Sequence, residues 1–125
     1  MQLTPAAALA IWRGAIVESV RRETPDLSAR QMAVLLSVHL GQPPHTVRGL
    51  ARALGVSKPA ITRALDRLSK LRLVRRAPDE TDRRSVLVEL TDFGAAYVGA
   101  FAELIVAAAA DGAEARPAAR AASGD

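Results

Sequence analysis

Basic and hydroxyl side chains recur between Ser57 and Arg84 at spacings that suit contact with a polyanion. One group follows a helix start at Ser57 and falls on one helix face, and the other lies around the tip of a predicted hairpin. A guanidinium grips a guanine edge or a phosphate through two hydrogen bonds, and a lysine binds phosphate as a point charge. The candidate contact residues are Thr46, Ser57, Lys58, Ala60, Thr62, Arg63, Arg67, Arg75, Arg76, Asp82, Arg83 and Arg84.

Positive charge is concentrated in the same segment. Between Arg48 and Arg84 the chain has 11 basic and 4 acidic residues, whereas the remainder has 6 basic and 9 acidic residues. Lysines and arginines that serve only solubility would not separate from the acidic residues in this way. The distribution therefore predicts a polyanion-facing surface, with an ordinary arginine-rich solvated surface as the alternative.

Two elements are needed to position these side chains on a duplex. On the helix, Lys58 and Arg67 suit phosphate, while Thr62 and Arg63 are placed for base edges in a major groove. At the hairpin tip, Arg84 suits a narrow minor groove, where Asp82 could hold it extended while Arg83 faces phosphate. The alternatives are a helix face paired with itself and a solvated turn whose carboxylates neutralise the arginines.

Helix start and stop signals place the surrounding elements. The first helix begins at Thr4 and Pro5 and ends before Pro25, with Leu9, Trp12, Ile16 and Val20 as its apolar stripe. Capping residues then predict helices that begin at Ser28, Thr46 and Ser57, and Gly55 makes the tight turn between the last two. Their apolar stripes are Val47, Leu50, Ala51 and Leu54, and Ile61, Leu65, Leu68 and Leu71. This pair of helices predicts a helix-turn-helix.

Two short strands and a final helix complete the pattern. One strand begins at Leu73, the other spans Val86 to Leu90, and the connection between them is polar and mobile-looking. Thr91 caps a last helix whose apolar stripe is Phe93, Tyr97, Phe101, Leu104 and Ala108. The predicted organisation is an N-terminal dimerisation helix in residues 1–24, a DNA-binding domain in 27–92, a C-terminal dimerisation helix in 91–111, and a disordered tail in 113–125. The fold class is mainly α with a small β-hairpin wing.

Composition excludes several other classes of protein. Without cysteine there are no thiolate zinc sites, disulfides or thiol-based sensors, and we expect no metal and no cofactor. His39 lies on an apolar stripe and His45 lies in a proline-rich loop without a carboxylate at ligand spacing, so the sequence argues against an enzyme. We expect a cytoplasmic chain without a membrane segment, because a basic start followed by an apolar run is missing and no apolar run approaches 18 residues.

The segment from Leu27 to about Tyr97 resembles the MarR (multiple antibiotic resistance regulator) family of winged helix-turn-helix repressors. The resemblance rests on LSARQMAVLLSVHL, on TVRGLARALGVSKPAITRALDRLSKLRLVRR and above all on DRRSVLVELTDFG. In the last motif Asp82, Arg84, Leu90, Thr91 and Gly94 match the family's wing and the exit from it. The helix-turn-helix alone is shared with many families.

The resemblance implies a homodimer on a pseudo-palindromic operator in double-stranded DNA, often released by a small aromatic or phenolic effector. Apolar residues on both sides of the first helix, with Leu104 to Val106 on the last, also favour a dimer. An effector would bind between the DNA-binding lobe and the dimerisation helices, and the candidate residues are Trp12, Ile16, Met32, Leu36 and His39. The alternative is a winged-helix protein-interaction module, or an anti-regulator that pairs with a related full-length regulator.

Overall fold

Five helices and a small sheet form the chain, for which the computed structural model describes residues 2–122 and side chains as far as residue 111. In chain order the elements are α1 (Pro5–Arg21), α2 (Ala29–Leu40), β1 (His45–Thr46), α3 (Val47–Leu54), α4 (Lys58–Lys70), β2 (Val74–Pro78), β3 (Val86–Leu90) and α5 (Asp92–Ala122). The predicted class, mainly α with a small antiparallel wing, is confirmed. Two compact units are present: residues 25–98 form one, and the residues before and after that range form the other.

Helix starts are set by the side chains that the sequence indicated. Ser28 and Gln31 form a reciprocal capping box, in which each side chain binds the other residue's backbone N–H at 3.1 and 2.9 Å. Thr46 and Ser57 cap α3 and α4 by accepting from Gly49 N at 2.9 Å and from Ala60 N at 3.2 Å. These bonds satisfy backbone donors that a helix leaves free at its first turn.

The turn between α3 and α4 depends on Gly55. Its backbone is left-handed, with φ of 67°, and its N–H bonds to the carbonyl of Arg52. Glycine adopts this conformation without steric cost, so α3 ends here and α4 starts three residues later.

The apolar core of residues 25–98 contains the predicted stripes of α3 and α4. Ile61, Leu65 and Leu68 are fully buried, and Leu50 and Ala51 pack with them against α2 and the sheet. All residues buried within the described side chains are apolar. The core therefore holds α4 by one face and leaves the other face in solvent.

A third strand lies beside the predicted hairpin. The sheet has the order β1-β3-β2, with His45 opposite Val88 and Thr46 opposite Leu87. We expected only a loop and a helix cap there, because two residues are too few to show an alternating pattern. Ala77 and Pro78, which we expected to lie in the connection between the strands, continue the ladder of β2 as far as the pair Pro78–Val86.

The stripe predicted for α1 does not form a core. Leu9, Trp12, Ile16 and Val20 are 36–70% exposed, while the small residues Ala7 and Ala15 are buried. A Cβ added at Gly14 would lie 2.9 Å from the Cβ of Ala108, so α1 and α5 approach closely over small side chains. The helices thus meet over small side chains, and the half-exposed Trp12 adds an edge-on contact with the ring of Phe101 in α5.

Helix α5 continues past its predicted end. We expected it to stop at Asp111 and Gly112 and a disordered tail to follow from residue 113, but the helix extends to Ala122. Alanine, the strongest helix former, is frequent in this stretch. Residues 123–125 of the predicted tail lie outside the described residues. By length and composition, Asp92–Asp111 could span a membrane, although a helix packed inside a protein meets the same criterion.

Candidate nucleic-acid interface

The exposed face of α4 displays the predicted contact residues in one patch. Ser57, Lys58, Thr62, Arg63 and Arg67 are all exposed, on the side of the helix opposite the core. None of the three cations in this patch takes part in the ion pairs formed within residues 2–111. Their donors are therefore available to an external partner.

Ala60 does not belong to this patch. We predicted it as a contact residue, but it is only 5% exposed, because it lies on the same side of α4 as Ile61 and Ala64. Its N–H is also used, as the donor to the Ser57 cap. Ala60 therefore contributes to the core and not to the exposed face.

Thr46 is a second predicted contact residue whose groups are already used within the fold. It is half-buried, pairs with Leu87 in the sheet, and its hydroxyl oxygen accepts the N–H of Gly49. Its position at the start of α3 is thus explained by the cap.

The connection between β2 and β3 is ordered by its own hydrogen bonds. The Asp79 carboxylate accepts from the N–H of Thr81 at 3.0 Å and from its hydroxyl at 2.7 Å, and Asp79 N donates to Ser85 O. Hydrogen bonding from the Thr81 hydroxyl, and next from its backbone, lowers the pKa of Asp79 below its ordinary value. Two successive turns, Asp79–Asp82 and Asp82–Ser85, close the connection that we predicted to be mobile.

At the wing tip Asp82 binds the backbone of Arg84 and not its guanidinium. Its Oδ1 accepts from Arg84 N at 3.0 Å. Arg83 and Arg84 are exposed, and neither forms an ion pair within residues 2–111. Within residues 2–111, Asp79, Glu80 and Asp82 form no direct ion pair with these arginines, so the guanidinium donors are not occupied by the turn's own carboxylates.

Arg75 and Arg76 differ from the other predicted contacts because both are ion-paired. Arg75 lies 3.6 Å from Glu89 across the sheet, and Arg76 lies 2.8 Å from Asp66 of α4. The structure places them at the base of the wing, with their charges already partnered.

Two basic residues of α3 were missed by the sequence reasoning. Arg48 and Arg52 are exposed and four residues apart, so they lie on one face of α3. Neither is ion-paired in the described side chains. The sequence carries a signal for them, since a spacing of four residues predicts a shared helix face.

The predicted effector residues are divided between the two units. One unit contains Trp12 and Ile16. The Trp12 ring packs edge-on against the ring of Phe101, with 5.8 Å between the ring centroids. Met32, Leu36 and His39 belong to the other, where His39 lines an open cleft of about 580 Å³ beside the sheet. A neighbouring cleft of about 470 Å³ is lined by residues from α2 to α3, and none of the predicted effector residues is among them.

Comparison with known proteins places the chain in a family. The model of the MarR family matches residues 26–85, the range from α2 to the wing tip. The HTH-type transcriptional regulator PecS of Dickeya dadantii (strain 3937) is 35% identical over 79 residues, which cover 62% of this chain and 48% of PecS. The structure of a mutant Escherichia coli MarR with operator DNA is 36% identical, with a TM-score of 0.61, and covers 69% of this chain and 61% of that one. The chain belongs to the MarR family.

A third known structure resembles this MarR-family chain over nearly its whole length. The Staphylococcus aureus MepR–DNA complex has a TM-score of 0.70 at 21% identity and covers 91% of this chain and 92% of that one. The MarR-like winged helix-turn-helix fold therefore includes α1 and α5 as well as the matched range. The chain spans about half the length of PecS.

Proposed function

We propose that this MarR-family chain is a sequence-specific, double-stranded DNA-binding transcriptional regulator. The observation that carries the proposal is the combination of two features: an exposed face of α4 whose Lys58, Arg63 and Arg67 form no ion pair within residues 2–111, and a hydrogen-bonded wing that ends in Arg83 and Arg84. In a helix-turn-helix the second helix enters the major groove, and an arginine beside it suits the narrower groove. The family has regulators rather than enzymes, and the MarR structure described above contains operator DNA.

On the duplex, the proposed contacts divide by chemistry. Lys58 and Arg67, with Arg48 and Arg52 of α3, are assigned to phosphates, which fix orientation and affinity. Thr62 and Arg63 are assigned to base edges, which supply specificity. Arg84 is assigned to the minor groove, and Arg83 to a phosphate beside it.

We further propose that the regulator is a homodimer on a pseudo-palindromic operator. The exposed stripe of α1, together with Val106 of α5, is apolar surface of a kind that monomeric proteins seldom leave in solvent. A second copy of the chain would cover it on both subunits at once, because a two-fold interface is self-complementary. Two recognition helices then meet half-sites about one helical turn apart.

Regulation is proposed to be repression in the cytoplasm, relieved by a small aromatic or phenolic effector. Trp12, Ile16, Met32, Leu36 and His39 stay its candidate contacts. An effector that alters the spacing of the two recognition helices by a few ångströms would prevent both from docking.

The second candidate function is an anti-regulator that pairs with a related full-length regulator. The same apolar stripe of α1 would then bind that relative.

Selection of bound sequences from a random duplex pool tests the proposal. We expect a pseudo-palindrome to be enriched, and its affinity to fall steeply between about 50 and 200 mM salt because bound phosphates release counterions. A protein that binds duplex DNA at low salt no better than a neutral control protein would overturn the proposal. An absence of enrichment, together with loss of a related regulator's DNA binding when this chain is added, would favour the anti-regulator.

A further inference from the structure

An ion pair joins the wing to α4. Nη1 of Arg76, in β2, lies 2.8 Å from Oδ1 of Asp66, a distance typical of a charge-assisted hydrogen bond. The other three ion pairs within residues 2–111 have N–O distances of 3.5 Å or more. The shortest ionic contact of the described chain therefore connects the two elements to which we assign groove binding.

The register of the sheet explains why Arg76 reaches α4 and Arg75 does not. Side chains alternate along a strand, so Arg76 shares a face with Val74, which is buried in the core. Val88, directly opposite Arg76 in β3, is buried as well. Arg76 thus projects from the rim of the core-facing side, while Arg75 projects from the outer side and pairs there with Glu89.

The position of Asp66 is otherwise unfavourable. It is an exposed carboxylate between Arg63 and Arg67 on the face assigned to DNA, where an unpaired negative charge would repel phosphate. Its bond to Arg76 offsets that charge. An acidic residue at this point is explained if its role is to hold the wing.

We infer that the Asp66–Arg76 pair fixes the wing relative to α4, and that Arg76 is a positioning residue rather than a phosphate contact. The inference rests on the proposed function. It replaces the sequence-based prediction of Arg76 as a direct DNA contact. The pair acts within one DNA-binding unit, so that α4 and Arg84 of the same chain reach adjoining grooves together.

The test uses the full chain, the duplex selected by the unaltered protein and a scrambled duplex, with the ratio of the two affinities as readout. Asp66→Asn and Arg76→Gln should each lower this ratio about two- to five-fold, the range that an exposed ion pair supplies. Their combination should lower it no further than either alone, because both remove one interaction. Arg76→Gln should leave the salt dependence unchanged, whereas loss of a phosphate contact would reduce its slope by about 0.9.

Two variants keep the result specific to this pair. Asp66→Arg combined with Arg76→Asp should return the ratio to within about two-fold of the unaltered protein, because the pair is restored with its charges reversed. Glu89→Gln removes the same charge as Asp66→Asn but breaks only the pair on the outer side of the sheet, so it should leave the ratio unchanged. Thermal unfolding confirms that each variant is folded.

Three results would overturn the inference. The losses in the affinity ratio could add in the double variant, the slope of the salt dependence could fall by about one unit in Arg76→Gln, or the charge-reversed protein could fail to recover the ratio. Failure of the proposed function is recognised separately. In that case the unaltered protein itself would not distinguish the selected duplex from the scrambled one, before any variant is made.

Discussion

The Asp82 carboxylate accepts a hydrogen bond from the backbone N–H of Arg84 at 3.0 Å, which fixes the main chain of the wing tip and leaves the guanidinium unpaired among the described residues. The wing is therefore shaped before any partner arrives. A preformed tip loses less conformational entropy on binding than a mobile one.

Arg84→Ala should weaken binding to the selected duplex about ten- to one hundred-fold, since hydrogen bonds made by a charged group contribute about 1.5–3 kcal/mol. Arg83→Ala is the matched control on the neighbouring residue and should reduce affinity for selected and scrambled duplexes equally. A mobility-shift titration measures both. Unchanged affinity in Arg84→Ala would remove the wing tip from the mechanism.

Arg63→Ala should relax the sequence preference, because a base contact discriminates by about 1–3 kcal/mol. Repeating the pool selection with the variant should then give an operator that is less defined at one position in each half-site. Lys58→Ala, at the first residue of α4 and assigned to phosphate, should weaken binding to all duplexes and keep the selected sequence. If Lys58→Ala changed the selected sequence and Arg63→Ala only weakened binding, Lys58 would be the base contact and Arg63 the phosphate contact.

Gly94→Ala should destabilise the fold by about 1–3 kcal/mol, the usual cost of forcing extra volume into a packed site. An added Cβ would collide with the carbonyl oxygen of Leu73, which already accepts the N–H of Thr91. Gly99→Ala in the same helix meets nothing within 4 Å and should stabilise it by up to about 1 kcal/mol. Denaturant unfolding of the two variants should give shifts of opposite sign; equal shifts would show that the Gly94 contact relaxes.

The carboxyl of Asp79 should titrate with a pKa below its ordinary value of 3.8, as a pH series of carboxyl carbon resonances would show. Because the folded-state pKa is lowered, the associated stability is present above the unfolded pKa and is lost as the pH falls through the folded value. Thr81→Val removes the largest cause, the hydroxyl hydrogen bond, and should return the pKa toward 3.8. A Thr81→Val titration that coincides with the unaltered one would assign the shift to another cause.

Leu9→Glu should convert the proposed dimer to a monomer. Leu9 is 70% exposed on α1, so the substitution should leave the single chain folded while placing a charge in the apolar stripe. Arg13→Glu, about one turn further along α1 and also exposed, changes charge without removing an apolar side chain. Light scattering of the three proteins gives the masses, and a single-chain mass for the unaltered protein would contradict a homodimer.

Local signals were sufficient to predict the helix-turn-helix and not the packing of the outer helices. The caps at Ser28, Thr46 and Ser57, the turn at Gly55 and the stripe of α4 depend on neighbours in sequence, and the structure confirms them. The α1 stripe failed because large apolar residues were expected to face inward, whereas the small residues Ala7 and Ala15 are buried and the close approach to α5 is at Gly14. Pairing of β1 with β3, and of Arg76 with Asp66, joins residues distant in sequence, which no periodic pattern reveals.

Helix α4 separates two tasks between its faces. Ile61, Leu65 and Leu68 are fully buried and hold the helix in place, while the side chains assigned to base edges make no contribution to that core. We therefore expect that substitutions at Thr62 or Arg63 change the preferred operator at little cost to folding. A regulator built in this way can be retargeted to new promoters by changes on a single exposed surface, with its scaffold left intact.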